Sequence, residues 1–254
     1  MDQRHLAARQ FGDMASNYLS SAVHATGADL IRLHALAQQA RFARALDVGC
    51  GAGHVAFALA RAGVGRVVAY DPSAQMLSVV EQESKARGYA AIEIARGPAE
   101  VLPFDEASFD LVVSRFSAHH WSSVAAAIGE MARVLRSGGK LIIVDVVSPE
   151  SPLLDTTLQT LEVLRDMSHV RNYRLSEWLS MLGGHGLAET TSHGWKLPLE
   201  FSSWVKRIGT PPQRVQALHA MIDDLPTEAR EYFAITAERS FEIDVAWMES
   251  QKSG

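Results

Sequence analysis

The stretch Ala45-Leu46-Asp47-Val48-Gly49-Cys50-Gly51-Ala52-Gly53-His54, followed by the apolar run Val67-Val68-Ala69-Tyr70 that ends at Asp71, decides the fold. A buried strand feeding a glycine-rich turn, then a second strand ending in an acid about 20 residues on, is how an α/β sheet grips a nucleoside. The glycine spacing separates two classes of ligand. A dinucleotide fingerprint, Gly-x-Gly-x-x-Gly, needs its third glycine so that the helix lies close to the strand with pyrophosphate on the helix N-terminus. Here the glycines are Gly49, Gly51 and Gly53, and His54 holds the third fingerprint position. Asp47 also puts negative charge close to where a pyrophosphate would lie, which suits a cationic ligand better.

Working outward, strand-like and helix-like runs alternate from Ala43 to about Val147. The runs are Ala45 to Val48, Val55 to Ala62, Val67 to Tyr70, Ala74 to Arg87, Ile92 to Ala95, Phe109 to Ser114, Val124 to Leu135 and Lys140 to Val146. Such alternation means parallel strands joined by crossover helices. Ser137-Gly138-Gly139 is expected to end the helix before the fifth strand. Beyond Pro149 a mainly helical stretch, about 152 to 183, intervenes; strand-like Glu189 to Leu197, a helical region to about Ala237, and alternating Ser240 to Met248 then follow. The expected fold class is α/β, a Rossmann-like seven-stranded, mostly parallel sheet with helices on both faces. The expected layout is an N-terminal helical lid (1–42), a nucleoside-binding core (43–148), and a helical insertion after the fifth strand with the final strands (149–254), all within one structural domain.

The composition narrows the function classes. A chain of 254 residues can bury a substantial core, and 47% hydrophobic with 21% charged residues is ordinary for a soluble globular protein. A formal net charge of -5 gives no general attraction to nucleic-acid phosphates, so a small-molecule substrate is the default. No signal-peptide core and no long apolar run are found, so a cytoplasmic protein with no membrane partner, monomeric or homodimeric, is expected. Cys50 is the single cysteine, which excludes an intrachain disulfide and a cysteine-based zinc site.

Asp47-x-Gly49-x-Gly51-x-Gly53 together with Asp71 resembles the first motif of class I S-adenosylmethionine (SAM) methyltransferases. Gly97 to Phe104 with Ser108 to Val112, and Glu130 to Leu141, look like the corresponding regions of the ubiquinone/menaquinone-biosynthesis-type members. The resemblance covers about residues 45 to 147. It implies SAM as cofactor and S-adenosylhomocysteine as product. On that footing Asp47 meets the cofactor's amino acid end, Gly49, Gly51 and Gly53 admit the ligand to the backbone, and Cys50 is a small neighbour. Asp71, ahead of Pro72, accepts the ribose hydroxyls, or else caps the following helix. Met76 packs on adenine, and Ser114 is placed on the cofactor side. Pro98 stands where relatives commonly carry an Asp that accepts from the adenine amino group, so adenine contacts fall to the backbone near Ala99 or to Glu100. The flanks, Tyr18 to His24, Ser117 to Trp121 and Arg165 to Arg171, resemble a narrower subgroup of uncharacterised small-molecule methyltransferases.

Methyl transfer from a sulfonium is an in-line displacement that needs alignment, plus deprotonation when the acceptor is a hydroxyl or an acidic carbon. Histidine suits the deprotonation. His119 and His120 follow the fourth strand at the crevice end of the sheet, and one is expected to face substrate while the other packs. His169 in the insertion is a further catalytic candidate. Arg171 and Arg115 are candidates for an acidic substrate group, and Tyr18 and His24, with Trp195, are lid candidates. No spacing suggests a metal site. The function expected is methyl transfer from SAM to oxygen or carbon of a small organic acceptor. The alternatives are a non-catalytic SAM- or metabolite-binding relative and, less favoured by His54 and Asp47, an NAD(P)-dependent oxidoreductase.

Overall fold

The computed structural model describes residues 3, 6, 10, 27–187 and 190–253. Strands β1 (Arg44–Val48), β2 (Arg66–Asp71), β3 (Ile92–Arg96), β4 (Phe109–Arg115), β5 (Leu135–Val146), β6 (Thr190–Leu199) and β7 (Phe241–Gln251) form one sheet of order β3-β2-β1-β4-β5-β7-β6. The first five strands run parallel, and β7 is antiparallel to both of its neighbours. β1 therefore has β2 on one side and β4 on the other. The strand order reverses there, and the crevice beyond the strand ends at such a point is where open α/β sheets bind ligands.

The central strands form because their side chains are buried on both faces. In β4 and β5, Leu111, Val113, Ile142 and Val144 join one apolar cluster, while Val112, Leu141 and Ile143 join the other. The alternation follows the two-residue period of a strand. The first cluster is closed by α1 (Ala28–Ala40), α2 (His54–Arg61), α3 (Ala74–Arg87) and α5 (Pro152–Arg165), and the second by α4 (Val124–Val134) and α6 (Leu175–Gly183). α7 (Phe201–Ile208), α8 (Pro212–Asp223) and α9 (Thr227–Tyr232) fill the connection from β6 to β7 and add Trp204, Leu218 and Phe233 to the first cluster. Among the described residues no helix is long and apolar enough to cross a membrane.

One expectation about the backbone is corrected. α4 ends at Val134 with an extended cap at Leu135, and β5 begins at once. Gly138, at φ +72°, does not end the helix. It lies in an irregularity of β5, where Leu135 pairs with Phe109 and Lys140 with Leu111. A glycine left-handed turn inside a strand serves a bulge as readily as a helix end.

Candidate active site

The turn after β1 is shaped by close approaches. Gly49 (φ +70°) lies so near the segment after β4 that a Cβ there would fall 1.8 Å from Ser117 Oγ. Gly51 (φ +50°) has open space where a Cβ would point, and it lines a cleft. At Gly51 a left-handed backbone, which glycine adopts without strain, coincides with exposure to the cleft. The cleft lies at the C-terminal ends of β1, β2, β3 and β4 and contains about 1040 Å³ of empty space, counted out to its open mouth.

Two carboxylates stand on its floor. Asp47, 1% exposed, accepts a hydrogen bond from Ala56 N–H at 3.1 Å. Burial pushes its carboxyl up to about 8, against the pull of the Ala56 N–H. Asp71, 8% exposed, accepts from Gly51 N–H (3.0 Å) and Ser73 N–H (2.8 Å), and burial pushes it up to about 6. The cap of α3 is Ser73, whose hydroxyl accepts from Met76 N–H, so Asp71 is not the cap itself. A carboxylate has about four acceptor sites and Asp71 uses two on the backbone. Two buried acids in one cleft suit a ligand that brings a cation and hydroxyl donors. The residues present therefore fit SAM, whose ammonium and sulfonium end Asp47 would meet and whose ribose Asp71 would hold.

Other expected cofactor residues lie in this cleft: Gly49, Cys50, Pro72, Met76, Ala99 and Glu100 all line it. The Cys50 thiol is raised by burial and stays neutral. Gly53 (φ +91°) does not line the cleft. A Cβ there would meet Phe57 and Val80 at 2.9 Å, so this glycine lets α2 pack under the turn. Ser114 is also corrected. It is buried within β4 with its hydroxyl unpartnered, and the following residues Arg115, Phe116 and Ser117 reach the cleft instead.

The opposite wall gathers imidazoles. Residues 118–120 form one turn of 3-10 helix after β4. The rings of His119 and His120 lie 4.3 Å apart, and His169 approaches them at 5.8 and 6.4 Å. As expected for neighbours, the two point differently: His120 lines the cleft, and His119 turns to Asp145 at the end of β5, Nδ1 to Oδ1 2.6 Å. Burial pulls His119 down, but the Asp145 charge and hydrogen bond outweigh it and hold this imidazole above its usual range. Burial and the His119 charge push His120 down to about 4. Its Nδ1 sits 3.0 Å from the Ser168 carbonyl, an acceptor only, so Nδ1–H donates and Nε2 carries the lone pair.

His169 is corrected from catalytic group to packing group. It is 6% exposed, is pushed down to about 2 by burial, and binds Gln159 Oε1 through Nε2 at 3.0 Å. Arg171 is likewise corrected. It is taken up by Asp155 (3.1 Å) and Glu177 (3.5 Å), which leaves no call for a substrate acid. Arg115 lines the cleft, yet its guanidinium grips both oxygens of buried Asp29 on α1 and so fastens that helix to the site. Trp195 stacks beside His193 on β6, the far edge of the sheet, away from the cleft. Tyr18 and His24 lie outside the described residues. Among the described residues no set of three His, Cys, Asp or Glu side chains is arranged to hold a metal ion.

Sequence reasoning gave no site role to His54, Phe116, Ser117, Trp121 and Ser122 among the lining residues, nor to the partner acids Asp29 and Asp145. Phe116 takes φ +50°, rare and strained for a bulky residue. Nothing local in the sequence announces it.

Residues 46–143 match the model of a methyltransferase domain. The uncharacterised protein YafE of Escherichia coli is 47% identical over 190 residues, spanning 75% of this chain and 92% of that protein. The uncharacterised methyltransferase YcgJ of Bacillus subtilis is 37% identical over 230 residues, spanning 91% and 90%. The crystal structure of YcgJ superposes with a TM-score of 0.83 at 34% identity, covering 88% of this chain and 99% of that one. The demethylmenaquinone methyltransferase of the same organism is 38% identical over 110 residues, 42% of this chain and 47% of that enzyme. The chain belongs to this methyltransferase family and is a class I, SAM-dependent methyltransferase.

Proposed function

We propose that the enzyme transfers a methyl group from SAM to an oxygen or acidic carbon of a small organic acceptor in the cytoplasm. The observation that carries this reading is the pairing of two unlike walls across one cleft: Asp47 and Asp71 on one side, His120 backed by His119 and Asp145 on the other. SAM supplies an electrophilic methyl group on a sulfonium, and the chain's task is to align the acceptor and take its proton.

In this reading Asp47, Asp71, the Gly49 to Gly51 backbone and Met76 hold the cofactor. His120 presents Nε2 to the acceptor, because Ser168 fixes its other nitrogen. The His119–Asp145 pair positions His120 and sets its basicity. While His119 is charged it holds His120 neutral; once His119 is neutral, His120 binds a proton more readily. An oxygen or carbon acid is the acceptor class that needs such a base, whereas a neutral amine acts as nucleophile unaided. The test is release of S-adenosylhomocysteine from SAM in the presence of panels of phenols, carbon acids and amines. Turnover confined to the first two panels is expected; turnover confined to amines would replace this reading.

A further inference from the structure

Resting on that cofactor reading, we infer that the purine end of the cleft does not read the 6-amino group of adenine, and that Pro98 is the position responsible. The successive strand ends lay out the ligand: Asp47 as the penultimate residue of β1, Asp71 as the last residue of β2, and the 97–100 loop after β3, so a nucleoside held at Asp71 puts its base against that loop. Of the loop's four residues, Gly97, Pro98 and Ala99 have no hydrogen-bonding side chain, and Pro98 lacks even a backbone N–H. Glu100 carries the loop's one polar side chain. Its Oε1 is committed to Ser122 N–H (2.8 Å) and Ser123 N–H (3.2 Å), where it ties the loop to the start of α4.

The loop is also held where it is. Tyr70 Oη donates to the Val101 carbonyl at 2.9 Å and reaches the Pro98 carbonyl at 3.3 Å from beneath. A Cβ on Gly97 would fall 2.1 Å from the same Oη, so loop and tyrosine are in contact. Leu102 N–H donates to Glu130 (2.8 Å), and Arg133 donates to the Leu102 carbonyl (2.9 Å). Swinging Glu100 toward the base would break two charge-assisted bonds at the mouth of α4. Gly97 N–H is taken by the Asp71 carbonyl (3.3 Å) and Pro98 has none, and with Glu100 Oε1 held by α4, shape rather than an acceptor side chain meets the exocyclic amine. The site should then accept cofactor analogues altered at purine position 6.

Calorimetric titration of the full chain with S-adenosylhomocysteine and with its 6-deamino analogue, which keeps the ring nitrogens, tests this directly. The two dissociation constants should agree within about fivefold, less than a charge-assisted contact confers. Pro98→Asp should tighten S-adenosylhomocysteine alone and open the ratio beyond about fivefold. A wild-type ratio already beyond that limit overturns the inference, because some group then reads the amine. An unchanged ratio in a folded Pro98→Asp protein overturns the assignment to Pro98. Failure of wild-type protein to bind S-adenosylhomocysteine at all would sink the cofactor reading, and this inference with it.

Discussion

The two walls of the cleft bury ionisable groups to opposite effect. On the β1–β2 wall, burial raises Asp47 to about 8 and Asp71 to about 6 from an ordinary 3.8, so the folded chain without ligand holds protons that the unfolded chain has lost. Stability from these groups falls as pH rises from about 4 to about 8. On the β4 wall, burial lowers His120 to about 4 and His169 to about 2 from 6.5, so the folded chain binds fewer protons, and stability is lost as pH falls below 6.5. His119, raised by Asp145, runs against its neighbours. One wall awaits a positive ligand; on the other, His120 stays neutral to receive a proton.

The largest expected effect breaks the histidine wall alone. His120→Ala should lower kcat by about a hundredfold, the usual worth of a general base, while S-adenosylhomocysteine binds within about threefold of wild type. Equal loss in both measurements would mean that His120 serves the cofactor instead. Asp71→Ala breaks the other wall and should weaken S-adenosylhomocysteine binding by about 2 kcal/mol, roughly thirtyfold, as loss of charge-assisted contacts does. An unchanged dissociation constant would remove Asp71 from the ribose.

Two smaller effects sharpen the contrast. A ligand ammonium favours ionised Asp47, so binding below pH 8 must expel the carboxyl proton, and affinity should fall by up to about tenfold per pH unit as pH drops. Calorimetry in buffers of different ionisation enthalpy should register the released proton; none released at pH 7 would contradict the burial of this acid. On the other wall, turnover should rise with pH as His119 loses its proton. Asp145→Asn removes the charge that raises His119 and should move this ascending limb of kcat/KM down by about one pH unit. A limb that stays in place would detach the His119–Asp145 pair from the reaction.

The walls also differ in how far they could be read from the chain. Asp47, the glycines and Asp71 fall within 25 consecutive residues, on strands whose apolar runs are plain and whose spacing is set by one crossover helix. The histidines were visible, but their partners were not. Asp145 is 26 residues from His119, Ser168 is 48 from His120, and Asp29 is 86 from Arg115, each brought close by sheet order or by the insertion. Sequence offered Arg171 and His169 as site candidates because the partners that pair or bury a side chain cannot be read from its neighbours in the chain. Folding gave Arg171 two carboxylates and gave His169 to Gln159. The bulge at Gly138 was misread for a similar reason, since its left-handed turn fits a helix end locally and only pairing with β4 places it inside a strand.

The central claim is that the carboxylate wall exists to hold a cationic nucleoside cofactor. The most direct test is calorimetric titration of the purified protein with S-adenosylhomocysteine, with NAD and NADP titrated alongside. Micromolar binding of S-adenosylhomocysteine and silence from both dinucleotides is the predicted result; binding of NAD or NADP in its place would contradict the account.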